Sequence, residues 1–385
     1  MGDKLRITII TSPFSSIPPK SIGAVEKLWY YVAKIFVAKG HDVGLVSKRI
    51  DKNDKTGCND DGICVRYING FKSQKHILVT IFFDFFYSVK ALCYFQKSDV
   101  LIMNTFWTPI LCPLFKNKYK VAMYNVQRFP KKQFFLYKKV DRLSCVSLAV
   151  KSALAVQTPS VAHLLKVINN PVDTEIFLSK PKDNIDDVIR ILYSGRIHPE
   201  KGLDILVKAF CKLKNEFSNI CLTLVGAYDI ARSGGGKEYV DYLVSLAQGN
   251  KINFVDAIYN PKSLCEEMQQ HDIYIYPSVA EKGETFGVAP LEAMAAGIPT
   301  IVSALECFRD FAINSENALV FNHRTQTPDN ELYEAIKTLI GNPELRKKIS
   351  LNGAKTAREN FSTEKIAEEY LEDFNNILKN KNEWK

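Results

Sequence analysis

The sequence predicts an α/β protein of two domains, each built on a parallel sheet. The chain has 385 residues, of which 46% are hydrophobic. It therefore exceeds the size at which one core stops growing and can fill two. Short apolar runs recur before helical patterns in both halves of the chain, and this alternation is typical of βαβ units with parallel strands.

Nine apolar runs are predicted to be strands. They are Leu5–Thr11, Val43–Ser47, Val100–Met103, Val121–Val126, Ile189–Ser194, Ile220–Gly226, Asn253–Val255, Ile273–Tyr276 and Thr300–Ser303. Helices are predicted from Gly23 to about Ala38, over Leu203–Leu213 and, as two or more amphipathic helices, over Pro343–Leu378. The polar segment Pro181–Asp187 is predicted to mark the domain boundary.

The stretch Tyr276–Pro299, YPSVAEKGETFGVAPLEAMAAGIP, is the most informative part of the chain. A buried strand ends at its first residues, and the polar loop that follows lies at the carboxyl end of that strand. Pro290 suits the first turn of a short apolar helix. Glu284 precedes this helix, and Glu292 is predicted to lie in its first turn.

The amino end of that helix, at Phe286, Gly287 and Val288, presents unpaired N–H groups and the positive end of the helix dipole to the loop. A diphosphate fits there. Glu284 and Glu292 are poor phosphate ligands because like charges repel, but both can accept hydrogen bonds from sugar hydroxyls. One nucleotide sugar would satisfy all these groups.

A second motif, Ile191–Gly202, reads ILYSGRIHPEKG. A strand runs into Gly195 and Arg196, and Lys201 follows before the next helical pattern. The guanidinium and the ammonium can converge on one anion from the same loop, which suits a diphosphate leaving group. Alternatively, Arg196 and Lys201 are two solvated charges of a loop that bind no ligand. The run Ser233–Lys237, SGGGK, is interpreted as a surface loop.

Together these motifs resemble the retaining glycosyltransferases of family 4, which have the GT-B fold. The resemblance covers the whole chain and is strongest over residues 190–300. It implies two Rossmann-like domains whose parallel sheets face a central cleft. The acceptor domain would comprise residues 1–178 and a C-terminal helix at about 364–385, and the nucleotide-sugar domain residues 179–363.

The resemblance also implies roles for single residues. Glu284 would hold the transferred sugar and Glu292 the ribose hydroxyls, while Arg196 and Lys201 would stabilise the departing diphosphate. The nucleotide would further be bound at Gly195, Phe286, Gly287, Val288 and Gly23. Family members commonly use neither a protein nucleophile nor a metal, and the donor would be a UDP- or GDP-sugar.

The sequence departs from the family pattern in three places. Pro171 and Ala24 replace glycines, and Gln127 and Arg128 follow a strand where many relatives carry a histidine. Either Gln127 takes over the hydrogen bond of that histidine, or Arg128 binds an anionic acceptor. These departures keep a second interpretation open, a non-catalytic nucleotide-sugar-binding subunit of the same fold.

Positive charge is concentrated in the first half of the chain. Residues 1–178 contain 26 Lys and Arg against 12 Asp and Glu. Within them, Phe71–Lys97 mixes lysines with many aromatic residues, and the pairs Lys131-Lys132 and Lys138-Lys139 flank two phenylalanines. This composition suits the surface of an anionic membrane. A core helix flanked by solvated lysines is the alternative, and a spanning helix is not predicted because the run is short and contains Asp84.

Nucleic-acid binding is not predicted, since no recognition motif accompanies the basic residues. The nine cysteines have no paired metal spacing and are interpreted as reduced, mostly buried thiols of a cytosolic protein. No secretion signal is recognised at the start of the sequence. We therefore expect a cytoplasmic enzyme, peripheral on the cytosolic face of the inner membrane. It would transfer a hexose-type sugar to a saccharide or lipid-linked saccharide in surface polysaccharide biosynthesis.

Overall fold

A computed structural model describes residues 4–17, 24–51, 54–72, 76–178, 180 and 188–383. The chain forms two compact units. Unit 1 comprises Met1–Asn170 and Thr363–Lys385, and unit 2 comprises Pro171–Ser362. The predicted boundary segment Pro181–Asp187 and the predicted site residue Gly23 lie outside the described residues.

The described strands and helices follow one another in βαβ order. The strands of unit 1 are β1 (Arg6–Ile10), β2 (Asp42–Arg49), β3 (Gly57–Cys58), β4 (Cys64–Asn69), β5 (Val100–Met103), β6 (Val121–Val126), β7 (Arg142–Cys145) and β8 (Leu165–Val167). Those of unit 2 are β9 (Ile189–Ser194), β10 (Ile220–Val225), β11 (Ile252–Val255), β12 (Ile273–Tyr276), β13 (Thr300–Ser303) and β14 (Leu319–Phe321). The α-helices are α1 (Ala24–Ala38), α2 (Ile77–Tyr94), α3 (Thr108–Leu111), α4 (Leu148–Gln157), α5 (Leu203–Lys214), α6 (Gly236–Leu246), α7 (Pro261–Gln269), α8 (Val288–Ala295), α9 (Pro328–Gly341), α10 (Pro343–Phe361) and α11 (Thr363–Glu383).

Unit 1 is built on an eight-stranded sheet with the order β3-β4-β2-β1-β5-β6-β7-β8. All neighbours are parallel except β3 and β4. One face of the sheet packs against α1 and α11, where Trp29 and Phe36 of α1 contact Tyr370 and Phe374 of α11. The last helix of the chain therefore completes the core of unit 1, because its apolar residues cover the same face as those of α1.

An ion pair also fixes α11 to this sheet. Arg142 of β7 donates two hydrogen bonds of 2.8 Å to Asp373, whose side chain is buried. A planar guanidinium bound in this way holds both the distance and the orientation of the carboxylate.

Two cysteines of unit 1 differ from expectation. Cys58 and Cys64 are register partners in the antiparallel pair of β3 and β4, and a disulfide joins them. The prediction of reduced thiols is therefore wrong for these two residues, since the fold brings their Cα atoms within bonding reach. The other seven cysteines are free, and four of them are buried.

Unit 2 is built on a six-stranded, fully parallel sheet with the order β11-β10-β9-β12-β13-β14. Strands β9, β12 and β13 have the predicted bounds. Short or half-polar strands such as β7, β8 and β14 were not predicted. They are strands because a parallel neighbour supplies their hydrogen bonds, not because their own residues carry a clear pattern.

Candidate active site

The two motifs of unit 2 meet at one edge of its sheet. Strands β9 and β12 are hydrogen-bonded neighbours, and the loops that follow them carry the ILYSGRIHPEKG and YPSVAEKGETFG residues. Because parallel strands end at the same edge, side chains from both loops converge there. This is the edge at which open parallel sheets bind ligands.

Lys201 and Glu284 form an ion pair at this edge. The Lys201 Nζ lies 2.7 Å from the Glu284 Oε2 and 3.0 Å from the Tyr276 hydroxyl. Tyr276 in turn donates a hydrogen bond of 3.1 Å to the same carboxylate oxygen. Burial, together with the nearby Glu284 charge, raises the pKa of Tyr276 far above its ordinary value, so this hydroxyl remains a donor. The three side chains form one closed, charge-assisted network.

Backbone contacts hold the two loops together beside this network. Gly202 has φ +65°, and a Cβ atom there would lie 2.2 Å from the Pro277 carbonyl oxygen. The Val279 N–H and the Ser278 hydroxyl both donate to the Glu200 carbonyl. Glycine is required at position 202 because any side chain would push the β12 loop away from the β9 loop. Lys201, one residue earlier, is positioned by the same contact.

Arg196 lies on the same loop as Lys201 but pairs differently. It donates to Glu200 at 2.6 Å and to the Ser233 carbonyl at 2.9 Å, and it is exposed. The two predicted residues therefore lie in different environments. Lys201 is buried against Glu284, and Arg196 is exposed beside the glycine run. Glu200 and Ser233 were not predicted to matter, although both lie within or next to motifs that the sequence makes visible.

The SGGGK run is not a free loop. The Gly235 N–H donates to the Ile197 carbonyl and the Gly236 N–H to the Tyr228 carbonyl, and α6 begins at Gly236. Because its backbone is bonded to the β9 loop, the run forms one wall of the region around Arg196.

Helix α8 begins within the predicted amino end, and Pro290 lies in its first turn as predicted. Its N-cap is Gly287, with φ +92°, and its first residue is Val288, so Pro290 is the third residue. Glu292 accordingly lies in the second turn, and the prediction of a first-turn position is wrong. Proline is accepted there because the first N–H groups of a helix have no intrahelical partner in any case.

The amino end of α8 adjoins the ion pair. Glu284 lies three residues before Gly287, and the Phe286 side chain is buried against Phe311 and Phe361. Phe286 can therefore offer only its backbone to a ligand. Glu292 is partly exposed.

A further carboxylate in the loop after β12 was not predicted as a site residue. Glu281 accepts two hydrogen bonds from Arg324, at 2.7 and 2.9 Å, and its Oε1 lies 3.0 Å from the His323 Nε2. The guanidinium, followed by the imidazole, lowers the pKa of Glu281. Its partners are more than 40 residues away in sequence, so only the fold reveals the cluster.

The predicted acceptor residues lie after β6 in unit 1. The Gln127 amide donates to Asn125 at 3.0 Å and to Asn170 at 2.9 Å, and it accepts a hydrogen bond of 3.1 Å from Asn170. Arg128 is exposed and donates no hydrogen bond to any residue that the structure describes. The two alternatives therefore differ in availability, since only Arg128 has all its donors available.

Within the described ranges, no group of three or more His, Cys, Asp or Glu side chains is arranged to hold a metal ion. The polar groups at the edge of the unit 2 sheet are the Lys201 ammonium, the Arg196 guanidinium, the Tyr276 hydroxyl, the Glu284 carboxylate and the backbone at the start of α8.

Part of the chain matches the model of a known protein family. Residues 175–356 match the family model of the glycosyl transferases group 1. A lipopolysaccharide 1,2-N-acetylglucosaminetransferase from Salmonella typhimurium is 24% identical over 327 residues, which cover 80% of this chain and 83% of that protein. These two matches confirm the prediction of a glycosyltransferase.

Solved structures show the fold. Sucrose-phosphate synthase from Thermosynechococcus elongatus superposes with a TM-score of 0.76 at 19% identity, covering 97% of this chain and 99% of that one. The Anabaena protein HepE, solved with UDP and glucose, superposes with a TM-score of 0.72 at 19% identity, covering 96% and 99%. The predicted GT-B fold class is confirmed.

Proposed function

We propose that this chain, whose residues 175–356 match the group 1 glycosyl transferases, is a retaining glycosyltransferase of family 4 type. It transfers a hexose-type sugar from a UDP- or GDP-sugar to a saccharide or lipid-linked saccharide in surface polysaccharide biosynthesis. Unit 2 binds the donor and unit 1 the acceptor. The observation that carries the proposal is the cluster of Lys201, Tyr276 and Glu284 beside the start of α8.

The hydrogen-bond donors and acceptors that this cluster leaves unused fit a nucleotide sugar. An ammonium has three donors, and Tyr276 and Glu284 use two of those on Lys201, which leaves one for a diphosphate oxygen. Both hydrogen bonds to Glu284 end on Oε2, so Oε1 is available to a sugar hydroxyl. One ion pair can thus orient the diphosphate and the sugar at once.

The leaving group is stabilised from several directions. Lys201, Arg196 and the N–H groups at Gly287 and Val288 supply positive charge and donors where the diphosphate gains charge, which is the largest effect available in such a site. Gly195 and the backbone of Phe286 allow close approach of the nucleotide, and Glu292 accepts from the ribose hydroxyls.

Reaction takes place on one face of the sugar. The bond between the anomeric carbon and the acceptor oxygen forms as the bond to the diphosphate oxygen breaks, and the acceptor proton passes to that departing oxygen. Glu284 binds the sugar and does not attack, because its charge is matched by Lys201 and its free Oε1 is assigned to a sugar hydroxyl. Configuration is retained without a covalent enzyme intermediate.

Arg128 is the better candidate for the acceptor. The Gln127 amide is already bonded to Asn125 and Asn170, whereas the exposed Arg128 can bind an anionic group such as a lipid-linked phosphate. An anionic membrane is then a partner, and the protein acts at the cytosolic face of the inner membrane.

Nucleotide protection against thermal unfolding tests the donor site. HepE was solved with UDP, so UDP is tested first, followed by GDP, ADP and their sugar conjugates. A ligand at 100 times its dissociation constant adds about 2.7 kcal/mol to the free energy of unfolding. A shift with one nucleotide supports the donor site, and no shift with any of them contradicts it.

The Glu284→Ala variant separates the enzyme from a non-catalytic nucleotide-binding subunit. For an enzyme, nucleotide protection persists while sugar transfer is lost. A variant that transfers sugar as fast as the wild type would contradict the proposed role of Glu284. A wild type that is protected by nucleotide but transfers nothing to any acceptor tested would favour the subunit.

A further inference from the structure

Helix α2 exposes an apolar stripe between Leu78 and Val89. Leu78, Val79, Phe82, Phe86 and Val89 are exposed, Leu78 by 77% and Phe82 by 58%. At about 100° per residue, these five side chains fall within an arc of about 100°. A contiguous apolar surface of this kind on a folded unit marks an interaction site.

The opposite side of α2 is fixed to unit 1. Asp84, Tyr87 and Ser88 are buried there, and Asp84 accepts hydrogen bonds from the Trp107 N–H at 3.0 Å and from Ser88 at 3.3 Å. By length and composition alone, α2 could cross a membrane. Its packing instead presents one face outward, as in a helix that lies in the plane of an interface.

A second exposed apolar pair lies on the same face of the sheet. Phe135 and Leu136 are 54% and 41% exposed in the 3₁₀ turn Gln133–Tyr137. Within that turn, Tyr137 packs on Tyr124 of β6, with ring centroids 4.8 Å apart.

The register of the sheet relates this turn to α2. Tyr124 is aligned through Met103 and Ile10 with Val46, whose carbonyl oxygen lies 3.5 Å from the Tyr87 hydroxyl of α2. In parallel strands, aligned residues point to one face. The apolar core against α1 and α11 fills the other face and includes no residue of α2, so α2 and the turn cover the same face.

Aromatic contacts link the two elements through Trp107 and Phe106. Phe85 of α2 packs on Trp107, Trp107 on Phe106, and Phe106 on Tyr137, with ring centroids between 5.3 and 6.2 Å apart. A continuous chain of aromatic side chains therefore joins α2 to the turn on this side of unit 1.

Positively charged residues flank the Phe135 and Leu136 pair in sequence. Residues 100–140 contain eight Lys and Arg residues and no Asp or Glu. Four of the lysines flank the exposed pair, and all four are exposed: Lys131, Lys132, Lys138 and Lys139. Between Asp61 and Asp99, the only acidic residue is Asp84, which is buried.

We propose that the membrane face, defined as Leu78, Val79, Phe82, Phe86, Val89, Phe135 and Leu136 with the four flanking lysines, docks unit 1 onto an anionic lipid bilayer. The apolar side chains enter the boundary between headgroups and acyl chains, and the lysines contact the anionic headgroups. The proposal rests on the proposed function insofar as a lipid-linked acceptor would lie in that bilayer.

Sedimentation with vesicles tests the membrane face. The full chain is mixed with vesicles of phosphatidylcholine alone, or with phosphatidylglycerol added. We expect binding to the anionic vesicles that weakens as salt is raised, and at least about tenfold weaker binding to neutral ones. The double variant Phe82→Ser with Phe86→Ser and the double variant Lys131→Gln with Lys132→Gln should each bind about tenfold more weakly than the wild type.

The matched control is Tyr242→Ser with Val244→Ser, two similarly exposed apolar residues of α6 in unit 2, which should leave vesicle binding unchanged. Equal binding to both lipids, or wild-type binding by the Phe82 and Phe86 variant, would overturn the proposal. So would a wild type that is dimeric, does not bind vesicles, and becomes monomeric in that variant, because the face would then join two copies.

Nucleotide protection, measured on the same samples, separates this inference from the proposed function. A wild type that is protected by a nucleotide but does not bind vesicles would refute membrane docking alone. Vesicle binding by a protein that no nucleotide protects would support docking and refute the donor site.

Discussion

Lys201 and Glu284 form a 2.7 Å ion pair although 83 residues separate them in sequence. Their side chains are only 8% and 12% exposed. Removing one partner of such a pair leaves an uncompensated buried charge, whereas removing both does not. The relationship therefore has measurable consequences for stability as well as for transfer.

A double-mutant cycle tests the coupling of this pair. Lys201→Met and Glu284→Gln should each lower the free energy of unfolding by about 3 to 5 kcal/mol, and the double variant should lose less than the sum of the two. Urea unfolding measures all four proteins. The exposed pair Arg196 and Glu200 is the control, with a coupling of at most about 1 kcal/mol. Additive losses at Lys201 and Glu284 would mean that the pair is not formed.

Lys201 should also matter for the rate of transfer. Since its remaining donor is assigned to the diphosphate, Lys201→Met should lower kcat by about 100- to 1000-fold, the usual loss when one donor to a developing charge is removed. Steady-state kinetics at 15 °C would keep the variant folded. Lys282→Met is the control, because Lys282 is exposed in the loop after β12 and has no assigned role. A Lys201 variant with unchanged kcat would be incompatible with the proposed role.

The sequence predicted those parts of the fold in which a local pattern suffices. Buried parallel strands such as β5 and β12 are continuous apolar runs, so their bounds follow from composition. Strand β7, RLSC, carries no such run and is a strand because β6 and β8 lie beside it. The start of α8 was predicted, but Glu292 was placed one turn too early, since the helix begins at Val288 and Glu292 is its fifth residue.

The candidate site was predicted in its residue types but not in its pairings. Both Lys201 and Glu284 were predicted, yet nothing in the sequence states that β9 and β12 are neighbours, which is what brings the two side chains together. Tyr276 was assigned to a strand only, although its hydroxyl completes the network. The Glu281 and Arg324 pair likewise depends on tertiary structure.

Gly202 should tolerate no side chain. Gly202→Ala places a methyl group 2.2 Å from the Pro277 carbonyl at φ +65°, and the left-handed conformation alone costs about 1 kcal/mol, so we expect a loss of more than about 2 kcal/mol. Thermal unfolding measures it. The control is Gly341→Ala at the end of α9, where a Cβ meets no atom within 4 Å and the change should stabilise slightly. Equal effects at the two glycines would show that the β9 and β12 loops do not approach at Gly202.

Asp84 should make the stability of the protein depend on pH. Burial raises the pKa of its carboxyl from an ordinary value near 3.8 to about 6. Between these two values the folded protein retains a proton that the unfolded chain has released, so the free energy of unfolding falls as pH rises through this window. The total loss is about 3 kcal/mol, and it is complete above pH 6.

Asp84→Asn removes this dependence, because the amide never ionises and its oxygen can still accept from the Trp107 N–H. Urea unfolding at intervals between pH 4 and pH 7 should give a difference between variant and wild type that grows with pH and levels off above about pH 6, with the variant the more stable protein at pH 7. Glu26, whose pKa burial also raises, is present in both proteins, so its contribution cancels in the difference. The exposed Asp60→Asn is the control for the substitution itself. Parallel stability curves for Asp84→Asn and the wild type would show that the Asp84 carboxyl is not held at a raised pKa.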